Sequence, residues 1–231
     1  MAEPRNAVRR VLKDNALSLV FGLLFVVSLT GQAWAGWAKF NNEQNAEGLG
    51  TIRLSEYLTS AEFAVDVVEN WQSEYLQFLL FILIAMVLVQ KGSTESKKPG
   101  EEGLESDEQQ KLGAHTEPDS PAWAKAGGRR TITFSWSLTL VMGAIFLASW
   151  GAQWVAGWAA YNETRLQRQQ DPLTLTGYLG NADFWVRTLQ NWQSEFLAVG
   201  SVAIFTVFLR QRGSSQSKPV GEPHESTGAE G

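Results

Sequence analysis

Glu74 and Glu195 carry the strongest hint of chemistry in this chain. Each closes a block reading Asn-Trp-Gln-Ser-Glu, at residues 70–74 and 191–195, and each precedes an apolar run. A carboxylate at the edge of an apolar segment is costly to strip of water, so it calls for a proton, a cation, a donor or solvent. Asn70, Glu74 and Gln77 fall at i, i+4 and i+7, one face of a helix, with Asn191, Glu195 and Ala198 as the matching set. Gln32 and Gln153 place single amides inside other apolar runs. These six polar residues (Gln32, Gln153, Asn70, Glu74, Asn191 and Glu195) are the candidate functional side chains. Four uses compete for the glutamates. They sit solvated or hydrogen-bonded at an interface, meet each other around a proton or cation, touch a partner protein, or act as general acid and base.

Composition removes most other chemistry. The chain has no cysteine, which excludes disulfides, thiolate nucleophiles and Cys-ligated metals. Its two histidines, His115 and His224, lie in polar low-complexity stretches, far from a triad or haem-ligand setting. No phosphate-cradling Walker A sequence occurs, and no Gly-x-Gly-x-x-Gly follows a strand pattern. A net charge of -5 gives no reason to expect nucleic acid. The expectation is a non-enzyme with no cofactor and no metal.

The elements that must position these residues are membrane helices. A mean hydropathy of -0.14 resembles that of a soluble protein, but the apolar residues are concentrated in four blocks. Asn15–Ala38 holds 24 residues without a charge and Thr131–Asn162 holds 32. A bilayer core of ~30 Å needs ~20 apolar residues in a helix, so both blocks suffice. Tyr75–Gln90 and Phe196–Leu209 are shorter, at 16 and 14 residues. They reach across only if counted from Trp71 and Trp192, with the glutamates at headgroup level.

The chain is also written twice. Shifted by 121 residues it matches itself without a gap, with 30 identities over 82 pairs from Leu17 to Lys98. The marker patterns are A-G-W-x-x-[FY]-N, N-W-Q-S-E-[FY]-L and [KR]-G-S-x-x-S-K. Such a repeat outranks local signals. It also decides a local ambiguity: Ala33-Trp34-Ala35 before Gly36 imitates a signal-peptidase site, yet the internal copy keeps the surrounding pattern, so the first helix is read as uncleaved.

The reading is all-α and integral to the membrane, with four spans arranged as two parallel two-helix repeats, each with an outer amphipathic helix. Residues 1–14 form an N-terminal segment, and 15–90 the first repeat, with spans near 16–38 and 71–89. Residues 91–130 form a linker expected to be disordered from its Glu, Ser, Gly, Lys and Pro content. Residues 131–212 form the second repeat, with spans near 136–158 and 192–209, and 213–231 a similar tail. Leu54–Glu69 and Leu175–Gln190 are the outer amphipathic segments. Asn41 and Asn162 are expected to terminate the first helix of each repeat. Trp37, Trp71, Trp158 and Trp192 are expected at the membrane interface.

Fourteen Lys and Arg residues fall in the N-terminal segment, the linker and the stretch from Arg210 to the tail, against five in the two inter-helix loops. The positive-inside rule then puts both termini and the linker in the cytoplasm. The basic Gly-Ser stretches read as anchors to anionic headgroups.

In the first helix of each repeat, Gly22, Phe25, Ser28, Gln32 and Gly36 match Gly143, Phe146, Ser149, Gln153 and Gly157, tracing one face suited to close helix contact. Gly200, Ser201, Ala203 and Thr206 suggest that the last helix packs more closely than its counterpart.

The three marker patterns resemble a family of bacterial membrane proteins classed only as a domain of unknown function. That resemblance covers nearly the whole chain and implies a bacterial cytoplasmic (inner) membrane location, without an activity or a catalytic residue. The family's first outer loop opens Asn-Glu-Glu-Gln; here Asn41-Asn42-Glu43-Gln44 and Asn162-Glu163-Thr164-Arg165 depart from it. The expected partners are the lipid bilayer and a membrane protein or second copy of the chain. The leading expectation is a structural or interaction role. The alternative is a small channel or transporter-like protein with a polar path through Glu74 and Glu195.

Overall fold

The structure is a computed structural model and describes residues 4–228. Among the described residues it is all-helical, with no strand. Nine α-helices run in order among the described residues: α1 (Pro4–Asp14), α2 (Ala16–Ala46), α3 (Leu54–Tyr57), α4 (Ala61–Val87), α5 (Ala122–Lys125), α6 (Gly128–Ser135), α7 (Ser137–Gln167), α8 (Leu175–Tyr178) and α9 (Ala182–Phe208). The chain divides into two compact units, residues 1–64 and 65–231, so most of α4 belongs with the second.

Helices α2 and α7 are long and apolar enough to cross a membrane by length and composition. Both outrun the spans read from the sequence by more than two turns. Asn41 and Asn162 therefore do not end them; the helices continue to Ala46 and Gln167. Both amides instead turn sideways and hydrogen-bond the chain coming back.

The amphipathic segments also differ from expectation. Leu54–Glu69 is not one helix: α3 is a single turn, and α4 starts afresh after Ser60, whose Oγ accepts from the Phe63 N–H at 3.2 Å. At the matching position Asn181 accepts from the Asp183 N–H at 2.9 Å and starts α9. Each cap satisfies an orphan donor of the first turn. The amphipathic residues beyond the cap are thus the N-terminal end of a long continuous helix.

In the second unit, α7 buries Phe146, Ser149, Gln153 and Gly157, four of the five residues of the shared small-residue face. The same face of α2 is largely exposed, and Gly22 has open space beside it. Beside Gly200 nothing lies within 4 Å of the place a Cβ would take, whereas Thr206 on the same helix meets the Ser93 hydroxyl at 3.2 Å. Residues 91–127 and 213–228, read as disordered from composition, are described as runs of turns with one 3-10 turn at Gly113–His115 and the short α5. Residues 229–231 of the tail lie outside the described residues.

Candidate functional site

The pattern A-G-W-x-x-[FY]-N folds into a clasp, formed once in each unit. In the first, the Trp37 indole donates to the Ile52 carbonyl at 2.8 Å. Asn41 pairs with both backbone groups of Ile52, donating at 3.1 Å and accepting at 2.8 Å. Tyr57 is buried, its ring between Phe40 and Phe63 with centroids at 5.8 and 5.5 Å and its hydroxyl against Gly36. In the second unit Trp158 donates to the Leu173 carbonyl at 2.7 Å, and Asn162 pairs with Leu173 at 2.9 and 2.8 Å. Tyr178 lies between Tyr161 and Phe184, its hydroxyl 2.7 Å from the place a Cβ on Gly157 would occupy.

Each motif residue thus has a physical reason. Asparagine alone offers a donor and an acceptor at the reach needed to replace a missing backbone ladder. Glycine leaves the space that the tyrosine hydroxyl takes. Trp37 and Trp158 therefore bind the return loop through their indole N–H, a role that membrane-interface statistics do not reveal.

The Asn-Trp-Gln-Ser-Glu blocks are helical. Asn70 and Asn191 each donate to the carbonyl four residues back, Asp66 and Arg187, at 2.8 Å. Gln72 and Ser73 are buried. The Trp192 indole donates to Gln72 Oε1 at 2.8 Å, and the Ser73 hydroxyl reaches Glu195 Oε1 at 3.4 Å. Trp192 meets Trp150 with centroids 5.9 Å apart. Trp150 Nε1 and Gln153 Nε2 share Thr188 Oγ1 as acceptor at 3.4 and 3.2 Å. The structure therefore brings Gln153 and Glu195 into a polar string of α4, α7 and α9. Glu74 is exposed, within range of Coulombic repulsion from Glu195. Trp71 is 39% exposed, and Gln32 is exposed in the first unit. Among the described residues no group of three or more His, Asp or Glu forms a metal site.

The most charged cluster was not anticipated. Arg187 on α9 donates to Glu69 at 3.1 Å and pairs with Asp183 at 3.3 Å and Asp66 at 3.8 Å. The Tyr178 hydroxyl donates to Asp183 Oδ2 at 2.6 Å, joining the clasp to the cluster. Burial holds the Glu69 carboxyl above its ordinary pKa, although Arg187 pulls it down. Burial, then the bond to Asp183, raises the Tyr178 phenol far above its usual value. One signal was available: Asp66 and Arg187 occupy the same place 121 residues apart, so the two copies carry opposite charges where they meet.

The pattern [KR]-G-S-x-x-S-K also folds alike at both sites. Gly92 and Gly213 adopt φ of +87° and +80°, which favours glycine. Ser96 and Ser217 accept from the N–H of Gln90 and Gln211 at 2.9 and 2.8 Å. Lys97 donates to the Gly103 carbonyl at 2.8 Å and pairs with Glu105 at 2.9 Å. Lys218 is buried and donates to the carbonyls of Gly92, Pro223, His224 and Ser226. These two ammonium groups close turns, while Lys91 and Arg212 at the start of each stretch stay exposed.

The family described as a domain of unknown function (DUF6766) matches residues 8–229. The chain belongs to this family. No curated protein and no solved structure matches it. Since the family match runs through clasps, linker and turns alike, these features are what DUF6766 membership covers in this chain.

Proposed function

We propose that this chain is a four-span membrane protein with a structural or interaction role and no enzymatic activity. Helices α2 and α7 cross fully. Helices α4 and α9 cross from Trp71 and Trp192 onward, so the chain is two parallel pairs of spans. Both termini and the linker face the cytoplasm of a bacterial inner membrane, and the two clasped loops face out. The observation that carries this reading is the use made of the marker residues. Their donors, acceptors and close contacts are directed to the chain's own return loops in both clasps. A loop tied down in this way on each repeat suits a surface offered to lipid or to a membrane-protein partner.

The second reading is a polar path, favoured by the string Gln72, Ser73, Gln153, Thr188 and Glu195 between helices. Ion and proton flux into liposomes carrying the purified protein separates the two. The structural reading expects no flux above empty liposomes. Flux that is abolished by the double variant Glu74→Gln, Glu195→Gln would replace it with the path.

A further inference from the structure

A groove of about 650 Å³ opens in the second unit where the end of α4, the linker and the α6–α7 junction come together. Its volume lies in the range of small-molecule sites. The apolar wall is built by Ile82, Leu83, Met86, Leu104, Ile132 and Trp136. The linker side is fixed in place, because the Gly103 N–H donates to the Met86 carbonyl at 2.7 Å while Lys97 holds the Gly103 carbonyl.

Most of the polar lining is already engaged. Lys97 pairs with Glu105, Gln110 bonds Glu105, Thr131 donates to the Trp123 carbonyl and Ser135 to the Thr131 carbonyl. An occupant of this groove gains few hydrogen bonds, so the wall fits an alkyl chain better than a polar metabolite. The rim supplies the charge. Arg129 and Arg130 lie in the first turn of α6 between the lining residues Gly128 and Thr131, both exposed and outside every ion pair among the described residues. Asp107 is the lining carboxylate without an ion pair, and the two arginines outnumber it. Trp136 and Ile132 remain 36% and 62% exposed, as side chains resting at a headgroup boundary would.

We infer that this groove is a binding site for an anionic phospholipid of the inner leaflet. One acyl chain lies along Leu83, Met86 and Ile132, and the phosphate sits at Arg129 and Arg130. The inference rests on the membrane reading above, which supplies the inner leaflet at this end of α4 and α7.

The test is native mass spectrometry of the detergent-purified full chain with added phosphatidylglycerol, phosphatidylcholine or oleate. Phosphatidylglycerol is expected to be retained as a one-to-one adduct in preference to the other two. Arg129→Gln with Arg130→Gln should weaken its retention about 30-fold, taking each basic residue at a membrane surface at about fivefold. Leu104→Asp should weaken phosphatidylglycerol and phosphatidylcholine alike, at least about tenfold. Leu104 is 75% exposed, so a charge there leaves the packing intact and circular dichroism unchanged. Equal retention of the two phospholipids, oleate held as well as phosphatidylglycerol, indifference to either variant, or a chain dimer in place of the lipid adduct overturns the inference. A protein that stays in solution after lysis without detergent instead defeats the membrane reading, and the two failures are distinct.

Discussion

Replacing Arg187 with glutamine tests the charged cluster that joins α4 to α9. The guanidinium serves Glu69, Asp183 and Asp66, and its removal leaves three carboxylates facing one another. Arg187 is 27% exposed and Glu69 18%, so the pair is neither at the surface nor fully buried. Exposed pairs contribute at most about 1 kcal/mol, whereas breaking a fully buried one costs about 3–5 kcal/mol. An intermediate cost of ~2 kcal/mol at pH 8 follows, or a fall of about 4–8 °C in Tm for a chain of this size.

The pH dependence has a definite sign. Burial raises the folded pKa of Glu69 above its unfolded value, and Arg187 opposes that rise. Such an acid contributes most favourably below its unfolded pKa, and that contribution is lost as pH rises toward the folded value. Without Arg187 the folded value climbs further and the loss grows. The deficit should therefore be full at pH 8 and smaller near pH 4, where most of Glu69 is protonated in both states. Adding Glu69→Gln to the variant should recover at least ~1 kcal/mol. Thermal unfolding in detergent, followed by tryptophan fluorescence at both pH values, reads all of this. A deficit independent of pH, or additive behaviour of the two substitutions, would refute the reasoning.

Three further outcomes are expected from the clasps and turns. Gly157→Ala should cost about 1–3 kcal/mol, because the new methyl meets the Tyr178 hydroxyl, and Tyr178→Phe should be milder in that background than in the parent. Asn162→Leu leaves the Leu173 N–H without its acceptor, a cost of about 2 kcal/mol, so trypsin should cleave after Arg168 roughly tenfold faster or more. Lys218→Met removes the donor shared by four carbonyls, and hydrogen exchange over residues 213–228 should rise about tenfold while α9 keeps its protection.

The helices were legible because apolar runs and a repeat of 121 residues are properties of the sequence itself. Their ends were not. Asn41 and Asn162 look like helix stops, since asparagine favours termini, yet the amide is used across a loop to a partner 11 residues away. Ser60 and Asn181 did carry a readable cap signal, which the amphipathic pattern on either side concealed. Spacing put Glu74 and Glu195 at matching places on their helices, but spacing along one helix says nothing of what lies opposite either of them. Arg187 was overlooked for the same reason: its partners Asp66 and Glu69 are over a hundred residues away, visible only by laying one copy on the other. The lysines that end the Gly-Ser stretches stand out by charge, but that Lys97 and Lys218 serve carbonyls of the chain itself shows only in the fold.

The central claim is that four helices cross the membrane, with the clasped loops on one side and the linker and tail on the other. A chain with no cysteine allows a direct test by single cysteines at Thr51, Gln109, Gln170 and Ser215, all exposed. Intact cells are treated with a membrane-impermeant maleimide and compared with lysed cells. The account predicts labelling at 51 and 170 in intact cells, and at 109 and 215 only after lysis. If only α2 and α7 cross, 51 and 109 label together while 170 and 215 are protected, and that result would contradict it.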